Sequence, residues 1–129
     1  MALVADDSRA ARLILSRALK SIGYEVREAV NGREALVAIE TERDPIQLVL
    51  ADWNMPEMSG LDLLKRVRQR QASARLPVVM VTCENEIDRI AEALAAGANE
   101  YVMKPFTREI LLEKLQLAGV VPENVACRH

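Results

Sequence analysis

LVLADWNMP, residues Leu48–Pro56, is the segment from which the fold is most directly predicted. An apolar run of this length that ends in a carboxylate is typical of a buried parallel strand, with Asp52 at its carboxyl end. Pro56 and Gly60 then interrupt the strand pattern, which indicates a loop. Ligands of open α/β sheets bind at the carboxyl ends of strands, so Asp52 is a candidate for chemistry. Taken alone, Asp52 is better explained as a residue that ends its strand and hydrogen-bonds its own turn.

The composition indicates one domain and excludes several functional classes. The 129 residues are half hydrophobic, which is enough for a single core, and the interspersed charges sum to only −2. Such a charge distribution is not expected to attract nucleic acid or a membrane surface, and with 3% aromatic residues a base-stacking surface is not expected either. No apolar run approaches the roughly 20 residues of a membrane span, and no signal peptide is apparent, so we expect a cytoplasmic protein. Cys83 and Cys127 lack metal-type spacing and are expected to be reduced thiols.

Strand-like and helix-like segments alternate along the chain. The five expected strands are Ala2–Ala5, Tyr24–Glu28, the run into Asp52, Pro77–Thr82 and Tyr101–Met103. Apolar residues at steps of three and four predict five helices. The residues expected to face the core include Ile14, Leu15, Leu61, Leu64, Ile90, Leu94, Ile110, Leu111 and Leu117. The basic residues of helix three (about Ser59–Arg70), namely Lys65, Arg66, Arg68 and Arg70, are expected to face mostly solvent. A nucleic-acid patch is the less favoured interpretation of that cluster.

Such alternation predicts a parallel sheet with helices on both faces, because parallel neighbours are joined by right-handed crossovers. Polar residues follow four of the strands: Asp6-Asp7, Asp52, Thr82 and Lys104. Each has a simple structural explanation, as a helix cap, a strand end or a surface charge. Because all of them fall at the same edge of the predicted sheet, we favour a functional site.

The residue types indicate phosphoryl chemistry. Three neighbouring carboxylates require a cation, and an open site of hard oxygen ligands suits Mg²⁺. Asp52 is then a nucleophile for a phosphoryl group. Lys104 would neutralise charge on the transferring oxygens, while Thr82 would donate a hydrogen bond to one of them.

These residues resemble the receiver domain of two-component response regulators over Ala2 to about Ala118. The resemblance is carried by Asp6-Asp7, by Asp52-Trp53-Asn54-Met55-Pro56 with Gly60, and by Thr82, Tyr101 and Lys104-Pro105. It implies a doubly wound, flavodoxin-like α/β fold with five helices and a five-stranded parallel sheet of order 2-1-3-4-5. Residues 1–119 would form the receiver domain and residues 120–129 a C-terminal tail. In the segment around Asp52, and in showing no further domain, the chain most resembles the single-domain chemotaxis members.

The resemblance also implies roles for individual residues. Asp52 would accept a phosphoryl group from a sensor histidine kinase. Asp7, Asp52 and the backbone carbonyl of Asn54 would bind Mg²⁺, and Asp6 would act through metal-bound water. Thr82 and Tyr101 would form a switch pair that alters the surface of helix four, strand five and helix five for an unknown output protein or phosphatase. The Lys104-Pro105 peptide bond would be cis.

A short phosphoryl lifetime is implied by two polar residues, Asn54 and Glu84, which match the pair found in rapidly dephosphorylating chemotaxis regulators. Both would orient the attacking water, although Glu84 alone is also explained as a helix cap. Cys83 stands where a smaller residue is frequent and would narrow access to Asp52.

Three alternatives remain open. The chain would also fit a receiver domain taken from a longer response regulator or hybrid kinase. An aspartate-nucleophile phosphatase of the haloacid dehalogenase type would carry an Asp-x-Asp motif at the end of its first strand. In this chain Asp52 lies at the end of the third strand, and the residue two positions later is Asn54. A flavodoxin-like cofactor binder would place hydroxyls and amides, rather than Asp6-Asp7, in its first loop.

Overall fold

The fold is that of a three-layer α/β domain, seen in a computed structural model that describes residues 1–41, 45–83 and 87–120. The strands are β1 (Ala2–Ala5), β2 (Val26–Ala29), β3 (Leu48–Asp52), β4 (Val78–Cys83) and β5 (Glu100–Lys104). The helices are α1 (Arg9–Ser21), α2 (Gly32–Thr41), α3 (Gly60–Gln69), α4 (Ile87–Ala95) and α5 (Arg108–Leu117), with a 3₁₀ turn at Gln71–Ser73. The sheet is parallel, in the order β2-β1-β3-β4-β5, so the expected fold class is confirmed.

Strand register brings the polar strand ends to one edge of the sheet. Ala5 of β1 lies beside Ala51 of β3, so Asp6 and Asp52 follow on neighbouring strands. Asp52 in turn pairs with Val81 of β4, and the last residue of β4 pairs with Lys104 of β5. Three separate crossovers therefore converge on a single crevice.

Two apolar layers hold this sheet, one on each face. Leu15 and Leu19 of α1 pack with Leu111 and Leu115 of α5 against one face. The opposite face is covered by α2, α3 and α4, through side chains such as Leu64. β1 and β3 are buried along their whole length, so a change of register would bring β3 no solvent-facing side. The register of β3, and with it the position of Asp52, is therefore fixed.

Local sequence fixes where several helices begin and end. The side chains of Ser8, Ser59 and Thr107 cap α1, α3 and α5 by accepting hydrogen bonds from backbone N–H groups at 3.3, 3.2 and 3.1 Å. Each such cap contributes about 1 kcal/mol. Gly23 and Gly97, with φ of +100° and +109°, follow α1 and α4 in the left-handed region that glycine adopts without strain. The elements that flank the crevice are thus delimited by their own residues.

Some residues expected in the core lie at the surface. Ile14, Leu94, Ile110 and Leu117 are 56%, 44%, 44% and 64% exposed. Each lies beside the buried stripe of its helix, and in α4 the buried position is the small Ala93. Helical spacing marks a broad apolar face, but the neighbouring elements decide which part of that face is covered.

Arg68 departs from the prediction that the basic residues of α3 face solvent. Its guanidinium is partly buried and donates to the carbonyls of Gly97 (3.0 Å) and Leu76 (2.7 Å) and to Asn99 Oδ1 (2.8 Å). Arg68 therefore ties α3 to the segments that precede β4 and β5. Within the described residues, no helix combines the length and apolarity that a membrane span requires.

Candidate functional site

Three carboxylates meet at the carboxyl edge of the sheet. Asp6 and Asp7 follow β1, Asp52 ends β3, and one oxygen of each lies within 4.8 Å of the others. Asp6 is fully buried and Asp52 is only 6% exposed, whereas Asp7 faces solvent. The adjacency of β1 and β3 produces this cluster, as expected from the strand ends.

Lys104 joins the cluster from the far end of β5. Its Nζ lies 3.0 Å from Asp6 Oδ2, to which it donates a hydrogen bond, and 3.5 Å from Asp52 Oδ1. Asp6 Oδ1 accepts from the backbone N–H of Ser8 at 2.8 Å, and the Asp6 carbonyl accepts from Arg12 at 2.8 Å. Both carboxylate oxygens of Asp6 are therefore engaged, whereas Asp52 faces a single cation. The contribution of Arg12 was missed, because nothing in its spacing distinguishes it from other helix arginines.

The electrostatics of the cluster favour an additional cation. Burial, together with the charges of Asp6 and Asp7, raises the pKa of Asp52 from 3.8 to about 6 against the opposing effect of Lys104. For Lys104, burial lowers the pKa, but its bonds and charge interactions with Asp6 and Asp52 outweigh burial and raise it. Lys104 is thus a permanent ammonium, and one ammonium does not compensate three carboxylates.

The donor set fits magnesium. All three groups offer carboxylate oxygens, the hard ligands that Mg²⁺ prefers, and the exposed Asp7 leaves one side of the cluster open to water. The raised pKa of Asp52, caused first by burial and then by the charges of Asp6 and Asp7, means that its ionised form is disfavoured without a further cation. A divalent cation held by these oxygens would supply that charge.

Thr82 and Tyr101 lie on the two strands next to Asp52. Thr82 follows the β4 residue that pairs with Asp52, and its side chain is 1% exposed. Tyr101 is half-buried in β5, where the Lys114 ammonium lies 4.1 Å from the ring centroid. Lys114 Nζ also lies 3.6 Å from Glu100 Oε1, so a cation bridges the ring and a carboxylate. The Lys104-Pro105 bond is cis, as the resemblance predicted.

Asn54 is brought to the mouth of the site, where its exposed side chain contacts α4. Its Oδ1 accepts a hydrogen bond of 2.9 Å from Nη1 of Arg89, whose guanidinium lies 5.4 Å from the Trp53 ring centroid. This contact was missed in the sequence, since no local pattern links residues 54 and 89. Glu84 and the side chain of Cys83 lie outside the described residues, as do residues 121–129.

Gly60 packs closely against the end of β3 and so supports the site. The sequence pattern indicated only that Gly60 interrupts the strand. Its N–H donates to the Trp53 carbonyl at 2.9 Å. A Cβ at this position would overlap the carbonyl oxygen of Asp52 and lie 2.8 Å from Met80 Cε. A glycine directly after a good N-cap, Ser59, was the available signal, because a helix start does not itself require glycine.

Comparison with known proteins agrees with this geometry. The family described as the response regulator receiver domain matches residues 2–116. The chain is 43% identical over 116 residues to the chemotaxis protein CheY1 of Helicobacter pylori, covering 89% of this chain and 93% of that protein. It is 42% identical over 115 residues to a CheY homologue of Campylobacter jejuni, covering 88% of each.

A solved structure shows the same arrangement in three dimensions. The chemotaxis response regulator CheY4 of Vibrio cholerae superposes with a TM-score of 0.82 at 38% identity, over 92% of this chain and 98% of that one. By fold, by sequence and by the residues at its carboxyl edge, the chain belongs to the response regulator receiver domain family.

Proposed function

We propose that the protein is a phosphorylation-activated signalling switch, in which a sensor histidine kinase phosphorylates Asp52 in a Mg²⁺-dependent reaction. The observation that carries this proposal is the approach of Lys104 Nζ to both Asp6 and Asp52, at 3.0 and 3.5 Å, beside an exposed Asp7. An acidic cluster alone binds cations. A fixed ammonium within it adds a contact for the oxygens of a transferred phosphoryl group.

The transfer itself uses a carboxylate nucleophile. An Asp52 oxygen forms a bond to phosphorus, the bond from phosphorus to the histidine nitrogen breaks, and the electron pair returns to the imidazole. Asp52 must be ionised, and its pKa of about 6 leaves it mostly so at neutral pH. Lys104 then contacts one phosphoryl oxygen, and the Thr82 hydroxyl donates to another. Because both side chains are held at strand ends, little reorganisation is needed.

The metal would be held by Asp7, Asp52 and the backbone carbonyl of Asn54, with Asp6 acting through water. When bound, Mg²⁺ neutralises carboxylate charge and the charge of the phosphoryl oxygens. Asp6 suits an indirect role, because Lys104 and Ser8 already occupy its two oxygens.

The switch would run from Thr82 to Tyr101. As the Thr82 hydroxyl moves to the phosphoryl oxygen, the space it leaves admits the Tyr101 ring, which is now half-buried beneath Lys114. Movement of the Tyr101 ring would change its contact with Lys114, and with it the ion pair of Lys114 and Glu100 on the surface of α5 and β5. This surface, together with α4, would bind the output partner.

The likeness to chemotaxis proteins supports a cytoplasmic role in chemotaxis, with residues 1–119 as the receiver domain and residues 120–129 as a tail. We also propose that Asn54 and Glu84 orient the water that removes the phosphoryl group and that Cys83 restricts its access. Replacing Asn54 and Glu84 singly and together by apolar residues should slow phosphate release.

Labelling with acetyl phosphate and Mg²⁺, followed by intact mass, tests the proposal. The parent is expected to gain one phosphoryl group and Asp52→Asn none, because an amide is not a comparable nucleophile. Asp62→Asn, a change to an exposed carboxylate of α3, is the matched control and should label like the parent. Undiminished labelling of Asp52→Asn would place the phosphate elsewhere.

A further inference from the structure

Arg89 of α4 forms a bridge to the loop that follows Asp52. Its Nη1 donates a 2.9 Å hydrogen bond to Asn54 Oδ1, and its guanidinium lies 5.4 Å from the centroid of the Trp53 ring. Trp53 is 7% exposed and therefore provides a fixed surface for the guanidinium. The two contacts together define the orientation of the Asn54 amide.

We propose that Arg89 is a positioning residue, which holds the Asn54 side chain and thereby prolongs the life of a phosphoryl group on Asp52. The inference rests on the proposed function, since it concerns the hydrolysis of that group. It assigns to α4 a direct hold on a residue beside the reacting carboxylate, independent of the Thr82 and Tyr101 pair.

The effect follows from the chemistry of hydrolysis. A water oxygen forms a bond to phosphorus, the bond to the Asp52 oxygen breaks, and inorganic phosphate leaves as a water proton passes to phosphate or solvent. The attacking water benefits from an acceptor for its hydrogen. Asn54 Oδ1 is such an acceptor, but it is engaged by a charged donor, and charge-assisted bonds are among the stronger hydrogen bonds. Because an amide oxygen has two lone pairs, Arg89 does not block Asn54 Oδ1 but competes with the water for it, and so weakens the hold of Asn54 on the water.

The position of Arg89 makes the lifetime sensitive to α4. Asn54 belongs to the loop after β3, whereas Arg89 belongs to α4. The outer face of α4 is open to solvent, and its Leu94 side chain is 44% exposed. A displacement of α4 relative to the loop lengthens the Arg89–Asn54 bond and returns the acceptor to the water. We therefore expect faster hydrolysis in any state in which α4 moves away from the loop.

The rate of phosphate loss from labelled protein is the test, measured for Arg89→Ala, Arg89→Lys, Asn54→Ala and the double variant. Arg89→Ala is expected to accelerate loss roughly threefold to tenfold, because an exposed bond of this kind should contribute no more than an ordinary hydrogen bond, and Arg89→Lys should accelerate it less. In the Asn54→Ala background the Arg89 change should have no effect. Arg33→Ala, which removes an exposed arginine from α2, is the matched control and should retain the parent rate.

Two spectroscopic readings on the unlabelled protein accompany the kinetics. Arg89→Ala should change Trp53 emission and shift the side-chain amide resonances of Asn54, and Arg89→Lys should restore part of each. An unchanged or slowed release in Arg89→Ala, or an equal acceleration without the Asn54 amide, overturns the inference. If the parent takes no label on Asp52, the proposed function fails instead, and unshifted Asn54 resonances would overturn the Arg89 contact itself.

Discussion

Lys104 Nζ donates a 3.0 Å hydrogen bond to Asp6 Oδ2, although the two residues are 98 positions apart in the chain. The same nitrogen lies 3.5 Å from Asp52 Oδ1. Lys104 thus connects the end of β5 to the ends of β1 and β3. A phosphoryl group on Asp52 would compete with Asp6 for this ammonium. The Lys104–Asp6 hydrogen bond is therefore expected to be stronger in the unphosphorylated protein than in the phosphorylated one.

Lys104→Met should separate the structural from the chemical role of the ammonium. Asp6 is fully buried, so losing its cation should lower the free energy of unfolding by about 1–3 kcal/mol in metal-free buffer. Mg²⁺ should restore part of that loss while labelling by acetyl phosphate stays slow. Urea unfolding with and without Mg²⁺ measures the first effect. Lys65→Met, on the exposed side of α3, is the control, and equal stabilities of the two variants would contradict the prediction.

The raised pKa of Asp52 makes the metal-free protein less stable as pH increases. The folded protein binds the Asp52 proton more tightly than the unfolded chain, whose pKa is 3.8, so the cost of ionisation is absent below about pH 3.8 and complete above about pH 6. A shift of this size corresponds to about 3 kcal/mol at most.

Asp52→Asn should therefore stabilise the metal-free protein at neutral pH, by up to about 3 kcal/mol, and have little effect near pH 4. Unfolding curves across this pH range measure the difference. Glu113→Gln replaces an exposed carboxyl and should show no such profile. A constant difference between Asp52→Asn and the parent at every pH would mean that the effect is not ionisation.

Asp7→Asn should weaken Mg²⁺ binding by about tenfold or more, because it removes the one exposed carboxylate of the cluster. Stability without metal should change little, since Asp7 is solvated. Titration followed by Trp53 fluorescence and by calorimetry gives the affinity, with Asp62→Asn as the control carboxylate. Equal affinities for Asp7→Asn and the parent would remove Asp7 from the proposed ligands.

Gly60→Ala should both destabilise the fold and impair labelling. Its Cβ would overlap the Asp52 carbonyl, so either α3 or the end of β3 must move, at a cost of about 2 kcal/mol or more. Gly119→Ala is the informative comparison, because φ there is +85° but no atom lies within 4 Å of the added Cβ. It should cost about 1 kcal/mol and leave labelling intact. Similar labelling of both variants would show that Gly60 does not position Asp52.

The sequence by itself determined the fold class and the edge at which the site lies. The apolar strands β3 and β4, the caps Ser8 and Ser59, and the stop at Gly23 are local signals, because each depends on the chemistry of a few adjacent residues. Parallel crossovers then require the strand ends to align at one edge, whereas the strand order that places Asp6, Asp52 and Lys104 close together was implied by the resemblance to the receiver family.

Tertiary structure decided everything that depends on distance between segments. The hydrogen bonds of Arg89 to Asn54 and of Arg68 to Gly97 join residues whose local sequences give no indication of one another. The same holds for which side of an apolar stripe is covered, as exposed Ile14 and Leu94 show. Periodicity reports the direction of a side chain from its own helix axis, whereas its partners are set by how helices and sheet pack together.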